Sequence, residues 1–210
     1  MKMNKLNFRP ALLLVLAVAL ISYACTEIED NSESSSLLTV SNVIGQPGDE
    51  GGEDGNPLFS DLCDNPSDEP QDPAFCTVFN DNAEVEFTND YLQIGPGAVG
   101  GPTFMNDIIV SQYRVDYVRP NNRNTPGVDV PFGIDGTMSF RVPIGNIGAT
   151  TLTVVRHIAK REPPLNQVPF EGEGVLTANA QMRFFGHDVA GRAVSTVGFL
   201  EIHFANFGED

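Results

Sequence analysis

The side chains that could do chemistry in this 210-residue chain are three histidines, three cysteines and a run of carboxylates. His187 stands beside Asp188 in the Gly186–Gly191 stretch, which reads as a hairpin loop. A His-Asp pair can orient a base for hydrolysis, and loops often carry function. The partners that such chemistry needs are absent: there is no Gly-x-Ser-x-Gly, no His-Glu-x-x-His and no Walker loop. Adjacent residues on an extended strand also point to opposite faces. The pair therefore reads as a turn, with Asp188 and Gly186 serving it and His187 exposed. His203 alternates with Ile202 and Phe204, away from the apolar face. His157 neighbours Arg156, Lys160 and Arg161, a basic cluster that reads as a solvated loop. The carboxylates of Asp61, Asp64, Asp68, Glu69 and Asp72 are hard oxygen ligands of the type Ca²⁺ uses. They match no EF-hand spacing, and Pro66, Pro70 and Pro73 make the stretch turn-prone. A solvated acidic loop is expected there, without a metal. No catalytic residue and no cofactor is assigned, and the chain is read as a non-enzyme.

The cysteines carry more. Lys2, Lys5 and Arg9 precede an apolar run from Ala11 to Ile21, followed by Ser22, Tyr23, Ala24 and Cys25. A basic start, a short apolar stretch and small residues at its end make residues 1–24 a secretory signal peptide. The run falls well short of the ~20 apolar residues that cross a bilayer. Ser22-x-Ala24 suits ordinary signal cleavage, while Ile21-Ser22-Tyr23-Ala24-Cys25 resembles the bacterial lipobox, with Ser22 where that family usually has Leu. Either cleavage starts the mature chain at Cys25. The resemblance implies a lipoprotein held to a membrane of the cell envelope by acyl chains on Cys25. In a Gram-negative host, Thr26 in place of Asp after that cysteine implies the outer membrane. Cysteines of exported proteins tend to pair. Cys63 and Cys76 form the natural couple, and acylation accounts for the odd one. A Cys63–Cys76 bridge closes about 14 residues and stabilises by roughly 3 kcal/mol in the chain-entropy picture.

Charge divides the mature chain. The formal net charge is −16, and 18 of the 28 acidic residues fall between Cys25 and Tyr113, where there is no Lys or Arg. Arg114–Asp210 holds nine basic and ten acidic residues. No basic stripe exists to release counterions from phosphates, so nucleic acid is excluded as a partner. Residues 25–62 read as a lipidated cysteine followed by a disordered acidic tether, too poor in apolar residues to offset the entropy of ordering. As a flexible coil it would span roughly 30–35 Å. Leu37–Val40 and Val43-Ile44 interrupt it, as a short strand, a docking segment or a local apolar patch. Residues 63–76 form the Pro/Asp-rich loop that the disulfide would close.

Residues 77–210 read as all-β, with a first strand starting near Thr77. Ala83, Val85 and Phe87 alternate with charged residues, and Tyr113, Val115 and Tyr117 share a face. Thr137–Val142 and Thr151–Val155 alternate too. Leu176, Ala178, Ala180, Met182 and Phe184 share one face, as do Leu200, Ile202 and Phe204. Only Val155–Glu162 could form a helical turn, stopped by Pro163-Pro164. Period-2 alternation with frequent turns predicts an antiparallel β-sandwich. The pattern resembles immunoglobulin-like and fibronectin type III-like domains, though it lacks their Trp and the antibody inter-sheet disulfide. That architecture on a tether implies a binding module for a protein or glycan at the envelope. A structural or assembly subunit of the envelope is the alternative, and a hydrolase or metal-binding protein ranks below both.

Overall fold

The computed structural model describes residues 34–48, 52–63, 77–92, 101–168 and 174–207. Cys25, Cys76 and the leader lie outside these residues. Eight strands form two sheets: β1 (Ser36–Gln46), β2 (Leu58–Asp61), β3 (Asp81–Tyr91), β4 (Ile108–Val118), β5 (Ile134–Val142), β6 (Ile147–Val155), β7 (Leu176–Asp188) and β8 (Ala193–Ala205). The first sheet runs β1-β3-β6 and the second β2-β8-β7-β4-β5. The fold is all-β, as the alternation predicts.

Three expectations are corrected. The tether does not extend to residue 62, because the compact unit begins at Ser34. β1 is an 11-residue strand paired antiparallel along β3, and Leu38 and Val43 are buried in the core. Nor is β3, which starts at Asp81, the first strand. The pairing is also not purely antiparallel, since β2 runs parallel to β8, with Leu58 beside Ile202.

The inward faces are the period-2 sets. Ala83, Val85 and Phe87 on β3 and Ala178, Ala180, Met182 and Phe184 on β7 are fully buried. Phe87 meets Phe184 edge-on across the two sheets, with ring centroids 4.8 Å apart, a geometry that suits the aromatic quadrupole. Bulges shift parity within strands. The register of β4 slips at Ser111, so Ile108 and Val110 face inward before it and Tyr113, Val115 and Tyr117 after it. The slip between Asp81 and Asn82 leaves Val154 as the extra residue of β6. A bulged residue drops out of the ladder, and the Val154 carbonyl instead accepts a hydrogen bond from the buried Tyr117 hydroxyl.

Polar clamps close both ends. At the end where the chain enters, the Ser34 hydroxyl donates to Asp188 Oδ2 (2.7 Å) and the Ser36 hydroxyl to the Asn106 carbonyl (2.7 Å). Fully buried Asn89 donates to the carbonyls of Asn106 and Val142. The turns at 143–146 and 189–192 share this end, because Ile108 pairs with both Val142 and Asp188. The longer 119–133 and 156–175 connections leave from the other.

Candidate functional site

His187 and Asp188 share neither a loop nor a face. Both belong to β7 rather than to a loop, and they point to opposite faces. His187 is exposed, while Asp188 is 1% exposed and accepts from the Ser34 hydroxyl and, at 2.8 Å, from the Arg192 backbone N–H. Its work is to close the β7–β8 turn and hold Ser34. His203 lies on the outer face of β8, 2.9 Å from Glu201 and against the Phe59 ring. His157 sits on a four-residue helix, α1 (His157–Lys160), and its backbone N–H donates to Asn80.

The basic cluster around His157 needs a further correction, because Lys160 is buried rather than solvated. Its Nζ donates to Asp81 Oδ1 at 2.9 Å and to the Asp61 carbonyl at 2.8 Å. The side chains of Lys160 and Asp81 are 2% and 0% exposed. Asp81 also accepts from the Ser60 hydroxyl (2.6 Å) and the Gly48 backbone N–H (3.0 Å). Burial pushes the Asp81 carboxyl above the usual carboxylate range, against the pull of Lys160, Ser60 and Gly48. Both side chains are shut off from solvent and hydrogen-bonded, so the pair joins β2, β3 and α1 structurally. Cys63, just beyond β2, is buried beside this centre, and its N–H donates to Asp61 Oδ1. Among the described residues, no group of three or more His, Cys, Asp or Glu side chains could hold a metal ion.

Among the described residues, one feature that could take a ligand is an open groove of about 460 Å³ on the outer face of the second sheet. Its lining includes Gln112, Arg114, Asp135, Thr137 and Phe185. Strand pairing sets them in rows: Phe185, Gln112 and Thr137 lie abreast, and Arg183, Arg114 and Asp135 form the next row. A third row holds Phe199, Gln181 and Asp116. The planar polar groups are braced along their strands. Arg114 Nε donates to both Asp116 oxygens at 3.0 and 3.1 Å, and Arg183 Nη2 donates to Gln181 Oε1 at 3.2 Å. Phe185 and Phe199 remain 42% and 58% exposed at the two ends of this strip.

None of these residues stood out in the sequence. They occupy the polar half of each period-2 pattern, where solvated surface is expected. The one signal was the presence of phenylalanine at outward positions, Phe185 opposite Phe184 and Phe199 opposite Leu200. No protein-family model matches the chain, and no curated protein sequence or solved structure matches it either.

Proposed function

We propose that this chain is an envelope lipoprotein whose immunoglobulin-like sandwich is a non-catalytic binding module, with the outer face of the second sheet as its binding surface. The observation that carries the reading is the open groove beside Phe185, where an exposed ring adjoins Gln112, Thr137 and the ion-paired Arg114 and Asp135. Strand order supports the immunoglobulin-like assignment. Three strands face five, β1 and β2 lie in different sheets, and the long β7–β8 hairpin lies in the larger sheet. Phe87 and Phe184 meet edge-on between the two sheets, the layer that a disulfide bridges in antibody domains.

Acylation of Cys25 would anchor the chain upstream of Ser34. With the compact unit beginning at Ser34, the spacer is nine residues, or about 30 Å even when fully extended. A Cys63–Cys76 bridge would fasten the 63–76 segment next to the Lys160–Asp81 centre.

The test places a photo-crosslinking residue at Thr137 of the full chain, in intact cells. The reading expects a discrete adduct that Arg114→Glu removes, and membrane attachment that Cys25→Ser abolishes. No adduct at Thr137, or one indifferent to Arg114→Glu, refutes the binding surface. Unchanged attachment of the Cys25→Ser chain refutes the anchor.

A further inference from the structure

We infer that the second-sheet face takes a neutral oligosaccharide, laid across the three rows from Phe185 to Phe199; this rests on the binding-surface reading above. Three observations point to that ligand. The first is the aromatic pair. Phe185 pairs with Ser195, and Phe199 lies four residues further along β8. At about 3.3 Å per residue and one strand spacing sideways, the two positions are about 14 Å apart. That is the reach of a short oligosaccharide, whose apolar ring faces can rest on both phenylalanines.

The second is what lies between them. The middle and flanking rows present two carboxylates, two guanidinium groups and two side-chain amides beside Val197, and the polar groups offer hydroxyls both donors and acceptors. They are braced before any ligand arrives: Arg114 by Asp116 and Asp135, Arg183 by Gln181. Bracing lowers the entropy lost on binding.

The third is charge. Two arginines and two aspartates share the strip, and Arg114 is engaged with both aspartates. The face is therefore balanced, without the net positive field that would draw a polyanion. A protein partner is the competing occupant. The strip offers it two half-exposed rings and Val197 set among two arginines, two aspartates and two glutamines, a more charged surface than the core of a protein interface.

The experiment is calorimetric titration of the purified full chain, in a detergent without sugar, with hexasaccharides of β-1,4-glucose, β-1,4-xylose, β-1,4-mannose and α-1,4-glucose. A hexamer of galacturonic acid is the anionic comparator. The inference expects at least one neutral hexamer to bind, and Phe185→Ala and Phe199→Ala each to weaken it at least about tenfold. Thr137→Arg should block the groove, and Phe104→Ala, at an exposed phenylalanine just before β4, should leave binding unchanged. Both target rings are exposed, so thermal melts within a few degrees of the parent verify that each variant is folded. Binding of no neutral hexamer, binding indifferent to both phenylalanines, or binding of the galacturonic hexamer alone overturns the inference. If titration fails while the Thr137 adduct forms and depends on Arg114, only the ligand class falls. If both fail, the binding surface falls with it.

Discussion

Lys160→Met is the substitution that most severely tests how this β domain is held. The amine donates to Asp81 Oδ1 and to the Asp61 carbonyl, and both side chains of the ion pair are shut off from solvent. Methionine keeps much of the volume and removes both bonds. Asp81 is left with two neutral donors, Ser60 and Gly48, and no counter-charge. Removing one partner of a buried pair costs about 3–5 kcal/mol, against a whole-domain stability of about 5–15 kcal/mol. In a domain of this size that lowers Tm by about 6–20 °C. Urea unfolding followed by circular dichroism measures it. Adding Asp81→Asn to Lys160→Met removes the stranded charge, so the double variant should recover at least about 2 kcal/mol relative to the sum of the singles.

The pH dependence has a fixed sign. Burial already raises the Asp81 carboxyl, and loss of the amine raises it further. In the Lys160→Met chain the folded state then keeps a proton that the unfolded chain has released. Stability of such a state falls as pH rises through the raised value. The deficit relative to the parent should therefore be smaller at about pH 5 than at about pH 8. A loss under about 1 kcal/mol, additivity of the two singles, or a deficit that shrinks toward pH 8 would refute the placement of a charged amine against a buried carboxylate.

Three further outcomes follow from the rest of the fold. Asp188→Ala strands the Ser34 hydroxyl and the Arg192 N–H and should cost about 1–3 kcal/mol in urea unfolding, while the exposed His187→Ala stays within about 0.5 kcal/mol; equal effects would contradict the opposite facing of the pair. Gly186→Ala would put its Cβ 2.3 Å from the Ile109 carbonyl oxygen and force β4 to move, so a loss of at least about 1–3 kcal/mol is expected, and a neutral thermal melt would show that the strands are not so closely apposed. Burial tends to raise the Asp107 carboxyl, but the Ile144 N–H and the Arg141 guanidinium outweigh it and hold the group below the usual range. Its contribution is thus present above about pH 4 and is lost as pH falls through the folded value; Asp107→Asn should flatten that acid limb, and an unaltered limb would place the acid sensitivity elsewhere.

Strands with an unbroken period were legible in the sequence, and strands with a slip were not. β7 shows one inward set from Leu176 to Phe184, and nothing interrupts it. β1 buries Leu38, but its register slips at Ser41, so the next buried apolar residue is Val43. Strict alternation from Leu38 through Val40 would put the next apolar side chain at the following even position, which Asn42 occupies. Set among serines and acids, that broken pattern resembles a tether with apolar interruptions. β2 is four residues long and pairs in parallel with a strand more than a hundred positions away, so no local signal marks it. Lys160 was illegible for a related reason. Its partner is 79 residues distant, and only the fold reveals that a lysine among basic neighbours turns inward.

The same reasoning explains why attention to the histidines misleads here and outward phenylalanines inform. A residue that can do chemistry contributes only if the backbone brings partners to it. Alternation sends His187 and Asp188 to opposite faces whatever their chemical aptitude. It also forces residues two apart onto one face, which makes Gln181, Arg183 and Phe185 a set, and Gln112, Arg114 and Asp116 another. Antiparallel pairing then lays those sets side by side in a register that the bulge at Ser111 fixes. Without that extra residue, Gln112, Arg114 and Asp116 would turn to the core and Tyr113, Val115 and Tyr117 to solvent. The bulge thus buries the tyrosine face and presents the polar face in a single step. Any surface that recognises a partner through Arg114 depends on Ser111 as the point where the register shifts, although Ser111 need touch no ligand.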